Sequence, residues 1–200
     1  DKKLYTELAF YTVQVTDLLV ATRVGNDQYV GRNAGATDHN GMELLVNYRT
    51  NLSANWMLQP YGSLALNDYS FDEYTDNDIS YNGNDLTGVA DKVINLGLDL
   101  KYKNRYSFNI NYRHNGSIPL DDANTIYGDS YNLMNLRTDY NFNLLNRLET
   151  AVYAGVNNVF DTNYAAQVLP NATGFGDTAP RYYYPGEPIN FYIGMNFNLN

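Results

Sequence analysis

The chain has no cysteine, two His, one Trp and six Pro among its 200 residues. Without Cys there is neither a disulfide framework nor a thiolate metal site. The two His, His39 and His114, are too few and too far apart for a zinc site. Neither has a G-x-S-x-G partner, so nucleophile–His–acid chemistry finds no support. No catalytic residue, metal ligand or cofactor is therefore assigned, and an enzyme is not expected. Basic charge is also scarce, with 13 Lys and Arg against 22 Asp and Glu and a net charge of -9. Nucleic acid is not an expected partner, because phosphate binding needs clustered Lys and Arg. No apolar run approaches 18 residues, which excludes a transmembrane helix. No basic-then-apolar leader opens the sequence, so a signal peptide is expected to be already removed or to lie outside this stretch.

What the chain has is Tyr and Asn, 20 and 29 of them. The mean hydropathy is nevertheless only -0.46. The arrangement behind that average has a period of two. In 93–102, Ile94, Leu96, Leu98, Leu100 and Tyr102 share one face, and Asn95, Gly97, Asp99 and Lys101 share the other. Successive strand side chains point to opposite faces, so this predicts a strand with one apolar and one wet side. The pattern recurs after the short turn Lys103-Asn104-Arg105, where Tyr106, Phe108, Ile110 and Tyr112 oppose Ser107, Asn109, Asn111 and Arg113. It returns in 131–144, 148–160 and 189–199, and earlier in 41–50 and 56–67. A longer, less regular segment covers 4–23. About eight strands follow. Short turns are expected near 51–55, 103–105 and 145–147. Longer polar connections are expected near 24–27, 68–91, 116–130 and 161–188.

Short turns on one edge and long loops on the other mark an antiparallel transmembrane β-barrel, all-β in class. Ten strand residues at roughly 45° tilt cover about 23 Å, close to the apolar band of such barrels. Tyr48 and Trp56 flank the first short turn, Tyr102 and Tyr106 the second, and Phe142 precedes the third. These positions suit a membrane girdle, with rings in hydrocarbon and polar tips in water. The charges inside clean strands fall on the inward face: Glu43, Arg49, Asp99, Lys101, Arg113, Arg137, Asp139 and Glu149. The competing arrangement is a sandwich in which the apolar stripe is core and the Asn face meets solvent. It leaves the aromatics flanking the turns unexplained.

Four stretches resemble one family. Asn157-Asn158-Val159-Phe160-Asp161-Thr162-Asn163-Tyr164 resembles the "N-N-[LV]-F-D-x-x-Y" run of TonB-dependent outer-membrane receptors. Tyr184-Pro185-Gly186-Glu187-Pro188 is similar to the "P-G-x-P-R" run before their last strand. Gly41-Met42-Glu43-Leu44 and Asn33-Ala34-Gly35 resemble their "G-[VM]-E" and "N-x-G" elements. Two positions depart from the pattern: Ile189 stands where the family usually has Arg, and Asn200 where an aromatic residue is common. The resemblance covers essentially residues 1–200. It implies the last eight strands of a barrel of about 22, in the outer membrane of a Gram-negative cell, with the plug domain and TonB box outside this chain. It also implies the partners: the lipid bilayer, the rest of the barrel and its plug, TonB through the missing N-terminal region, an extracellular small-molecule ligand, and a surface lipoprotein. The implied function is ligand-gated import of a siderophore, metal chelate, vitamin or glycan.

Candidate ligand contacts are Arg113 and Arg137 on the inward face and Arg181, Tyr182 and Tyr183 in the last long connection. Arg offers bidentate hydrogen bonds to carboxylate or catecholate oxygens, and Tyr a flat surface with a hydroxyl. Against this, Arg113 and Arg137 suit a ladder of ion pairs with Asp99 and Asp139, and Tyr182–Tyr184 suit an outer girdle or loop packing. The acids Asp72, Glu73, Asp76 and Asp78 lack the spacing of a Ca²⁺ loop and read as solvated loop acids. A complete small eight-stranded barrel with a structural or adhesive role is the alternative.

Overall fold

In a computed structural model of the chain, residues 3–17, 19–23, 29–33, 35–76, 78–103, 105–144, 148–174 and 178–199 are described. Eight long strands form one continuous antiparallel sheet in chain order. They are β1 (Leu4–Val15), β2 (Ala36–Tyr48), β3 (Trp56–Glu73), β4 (Lys92–Tyr102), β5 (Tyr106–Asn115), β6 (Tyr131–Leu144), β7 (Leu148–Asn157) and β8 (Asn190–Leu199). Each strand pairs with its sequence neighbour, which is the connectivity of an up-and-down barrel wall. β1 and β8 do not pair with each other, so the sheet is open. A closed eight-stranded barrel is not what this sheet forms.

Register keeps the two faces unmixed across all eight strands. Leu8 stands opposite Leu44, Leu44 opposite Leu64, and Leu64 opposite Ile94. Ile110 stands opposite both Leu98 and Leu136, Leu136 opposite Val156, and Val156 opposite Phe191. A one-residue slip anywhere would turn an apolar set inward. No second sheet covers the apolar face: Phe10 is 72% exposed, Leu96 53% and Ile193 78%. An apolar face so exposed suits a wall that meets lipid, and it disposes of the sandwich.

Several strands outrun the sequence reading at their loop ends. The 4–23 segment is two elements, because Asp17 adopts a φ of 58° and ends the run after β1. Beyond it Leu19–Arg23 pairs with Tyr29–Asn33 as a separate hairpin. The expected connection near 24–27 lies outside the described residues, as does the turn at 145–147. β2 starts at Ala36, and β3 continues to Glu73, taking up Asp72 and Glu73. The connection expected over 68–91 is therefore 74–91. In these extensions the outward face turns polar: Thr12, Asn40, Asp68, Lys92, His114 and Asn132 follow the last apolar residue of their strands. The apolar band ends along that line. Pro60 sits inside β3 without breaking it. Pairing with β2 stops at Asn47–Tyr61 and resumes as Thr50–Leu58, so the missing N–H coincides with an interruption of the ladder.

Burial is concentrated at the loop end. Among the described residues the buried apolar side chains are Ala36, Phe71, Ala90 and Leu120. Small hairpins continue the loops there: Thr75–Asp76 with Ile79–Ser80, Ile118–Pro119 with Tyr127–Gly128, and Ala165–Val168 with Tyr183–Pro185.

Candidate functional site

The inward face is built of Tyr, Gly and Asn in register. Four tyrosines lie flat over a glycine directly opposite: Tyr11 over Gly41, Tyr61 over Gly97, Tyr153 over Gly194 and Tyr192 over Gly155. A Cβ at any of these glycines would overlap the ring. The ring fills the space of the absent side chain and shields the glycine backbone, the device known as aromatic rescue. Between these pairs run amides. The Tyr61 hydroxyl donates to Asn111 Oδ1 at 2.8 Å, and Asn157 Nδ2 to Asn190 Oδ1 at 2.9 Å. The result is a polar, mostly neutral face that takes up many of the Tyr and Asn of the composition.

Nearer the short turns, Arg137 pairs with Asp139. Its Nη2 donates to Asp139 Oδ1 at 2.6 Å and its Nε to the same carboxylate at 3.1 Å. Its guanidinium lies 4.3 Å from the Tyr153 ring centroid. The other acid of the expected ladder, Asp99, instead accepts from Asn109 Nδ2. Arg113 is higher on β5, exposed, and among the described residues reaches Asn115 Oδ1 at 3.4 Å. Toward the loops on the other side of the sheet is a cluster the sequence reading missed. His39 stacks on Tyr69 at 4.5 Å, the Tyr69 and Tyr11 hydroxyls are 2.6 Å apart, and Thr37 Oγ1 and His39 Nε2 are 2.9 Å apart. The available signal was parity: Tyr11, His39 and Tyr69 all sit at odd positions, on the wet face.

Arg181, Tyr182 and Tyr183 lie in the last loop. Arg181 and Tyr183 line an open recess of about 730 Å³ with Leu169, Ala172 and Pro185. Tyr182 is half-buried, and its carbonyl accepts from the Leu169 N–H at 2.7 Å. The five candidate contacts thus fall in three places: lower wall, upper wall and last loop. On the outward face at the short-turn end, rings follow one another from Trp56 to Tyr102 at 4.7 Å, Tyr102 to Tyr106 at 6.2 Å, Tyr106 to Tyr140 at 4.6 Å and Tyr140 to Phe142 at 5.4 Å. Tyr48 is on the same face, and Tyr140 joins the row although the sequence reading passed over it.

Residues of the family-like stretches turn out to clasp the chain. Asn158 is 3% exposed and adopts a φ of 50°. Its amide donates to the carbonyls of Thr162 and Glu187 at 2.9 and 3.1 Å and accepts from the Thr162 N–H at 3.0 Å. Asp161 Oδ1 accepts from the Ile189 N–H at 2.9 Å. The end of β7 is thereby tied to the entry of β8. Gly186 is held under the Tyr164 ring, and Gly35, at φ 80°, lies against the Glu73 carbonyl.

Electrostatics in the loops follow burial and neighbours. Burial raises the Tyr74 hydroxyl well above its ordinary pKa, with Asp122 and Asp76 adding to it. Tyr127 is raised by burial and by Asp85. For Asp121 burial pushes upward. Hydrogen bonds from the Thr125 hydroxyl and the N–H groups of Ile126 and Thr125 outweigh it and hold the carboxyl below the usual Asp range.

The family description "TonB dependent receptor-like, beta-barrel" matches residues 1–159. The chain belongs to this family. Solved structures agree on the fold. The unliganded ferric citrate transporter FecA superposes with a TM-score of 0.75 at 22% identity, over 99% of this chain and 29% of that one. The siderophore receptor PiuA from Acinetobacter baumannii gives 0.71 at 18% identity, over 98% and 26%. The copper transporter OprC gives 0.68 at 19%, over 98% and 29%. The chain therefore spans less than a third of the length of these three proteins. The open sheet is the shape expected of part of such a barrel.

Proposed function

We propose that residues 1–200 are the C-terminal part of the barrel of a TonB-dependent receptor, and that the whole receptor imports a scarce nutrient across the outer membrane. The reading rests on one observation above all: eight strands paired in chain order, with a mainly apolar band outward and an amide-rich face inward, within a family of outer-membrane receptors. The ring row from Trp56 to Phe142 is proposed as the inner-leaflet girdle, with Tyr48 beside it. The plug, the TonB contact and the rest of the wall belong to sequence beyond this stretch. For the ligand, the neighbours named for siderophore, ferric citrate and copper favour a metal or metal chelate over a vitamin or glycan.

Of the proposed contacts, Arg113, Arg181 and Tyr183 are exposed and Tyr182 is half-buried, which supports keeping them as candidates for the ligand. Arg137 is read as shaping the lumen, since its Nε and Nη2 donors are held by Asp139. The deciding experiment compares three strains: wild type, one deleted for the receptor and one lacking TonB. Each is grown under iron or copper limitation with ferric citrate, a ferric catecholate or a copper salt as supplement. The proposal expects one supplement to rescue the wild type alone. Equal rescue of the strain lacking TonB removes the energised-import reading.

A further inference from the structure

Three long connections, 74–91, 116–130 and 158–189, leave the same end of the wall, and they are joined to one another. The junction is Asp122. Its Oδ1 accepts from Thr87 Oγ1 at 2.5 Å in the first loop and from Asn171 Nδ2 at 3.0 Å in the third. Its carbonyl accepts from Asn84 Nδ2 at 2.7 Å, and its N–H donates to Asn171 Oδ1 at 3.1 Å. Tyr74, in the first loop, lies against the same carboxylate.

Neighbours reinforce the junction on both sides. Asn124 accepts from the Asp85 N–H at 2.7 Å and donates to the Asp85 carbonyl at 3.0 Å. The Gly88 N–H donates to the Pro119 carbonyl at 2.9 Å, and the Asn171 N–H to the Leu120 carbonyl at 2.8 Å. Beneath them Leu120 is 2% exposed. Gly88, at φ 86°, comes so near Pro170 that a Cβ would stand 3.0 Å from its Cγ, so the first and third loops also meet directly. Asn124 and Asn171 both take positive φ, 53° and 52°, which Asn tolerates better than other residues with a side chain.

We propose that Asp122 is a positioning residue that locks these three outer loops into one plate, so that they meet a ligand as a single body and not as three independent lids. The reason is connectivity. One carboxylate and its own backbone amide hold partners from both flanking loops, and loss of a part-buried acceptor leaves several donors unsatisfied at once. The consequence for capture rests on the import reading above, whereas the coupling is a property of the loops and is tested without any ligand.

The test is hydrogen exchange on the full-length receptor in nanodiscs. Asp122→Ala is expected to speed exchange about tenfold or more in 84–88 and 165–174 as well as in 116–130, the loss typical of hydrogen bonds to a charged group. Strands β4 to β7 report whether the barrel itself still folds. Asn171→Asp sets a carboxylate against Asp122 without touching the first loop through a hydrogen bond. It is expected to speed exchange in 84–88 too. Asp122→Asn keeps an acceptor for Thr87 and Asn171 and is expected to recover most of the protection. Faster exchange confined to the mutated loop in both Asp122→Ala and Asn171→Asp would overturn the proposal. So would unchanged exchange, or wall strands exchanging as fast as the loops.

Discussion

Tyr192 on β8 lies across Gly155 on β7, and Tyr153 on β7 lies across Gly194 on β8. The two strands thus exchange the same contact in both directions, one pair of residues apart. Neither glycine has a positive φ, so what requires Gly here is the ring and not the backbone angle. Filling the space with Gly155→Val forces the Tyr192 ring or the strand to move, and overpacking of this kind costs about 1–3 kcal/mol. The full-length receptor carrying Gly155→Val is expected to unfold at a lower temperature, read by its band shift on electrophoresis. An unchanged transition would mean that the ring swings aside freely.

The two faces predict opposite tolerances at adjacent positions. Leu98 points outward between Pro60 and Ile110, and Asp99 points inward beside Asn109. Leu98→Arg places a charge near the middle of the apolar band, at a cost of roughly 2–4 kcal/mol. It should lower the amount of assembled receptor in outer-membrane fractions far more than Asp99→Arg. A larger defect at 99 would invert the faces.

Spin labels give the same assignment without adding charge. Labels at 96, 98, 108 and 110 are expected to be accessible to lipid-soluble oxygen, and labels at 95, 101, 107 and 109 to water-soluble reagents. Equal accessibility at both parities would end the barrel reading.

The wall was legible because its signal is local. Ile94 to Tyr102 alternate within nine residues, and the same alternation in each neighbour leaves one register that keeps the faces apart. Much else depends on residues remote in sequence. That Gly155 answers Tyr192, or Asp122 answers Asn171, requires knowing which strands and loops lie side by side, and no period of two reveals it. The upper ends of β2 and β3 were missed because Asp38, Asp68 and Asp72 break the apolar pattern just where the strands leave the membrane. The family-like stretches led to the right family, yet Asn158 and Asp161 proved to be clasps within the chain and do not point to a ligand.

Arg113 and Arg137 should separate under mutation. Arg137 holds Asp139 and stacks on Tyr153, so Arg137→Ala strands a carboxylate that is only 21% exposed. Its expected effect is on stability, seen as a lower unfolding temperature with uptake per folded receptor little changed. Arg113 is exposed and weakly held. Arg113→Ala is expected to leave unfolding unchanged and to weaken uptake of the supplement identified by growth. The reverse pattern would make Arg137 the ligand contact.

Acid should loosen the second outer loop through Asp121. Its folded pKa lies below the ordinary Asp value, because three donors favour the carboxylate over the effect of burial. A depressed folded pKa contributes stability that is present above the unfolded value and lost as pH falls through the folded one. The loop is therefore expected to hold at neutral pH and to open progressively below the ordinary Asp range. A pair of spin labels at Ala123 and Ile79, both on exposed loop positions, would report this as a broadening of their distance distribution. Asp121→Asn keeps an acceptor for the Thr125 and Ile126 N–H groups but cannot be protonated in that range. It should flatten the pH response while leaving the neutral distance unchanged. If the variant broadens with acid as the wild type does, another carboxylate carries the dependence.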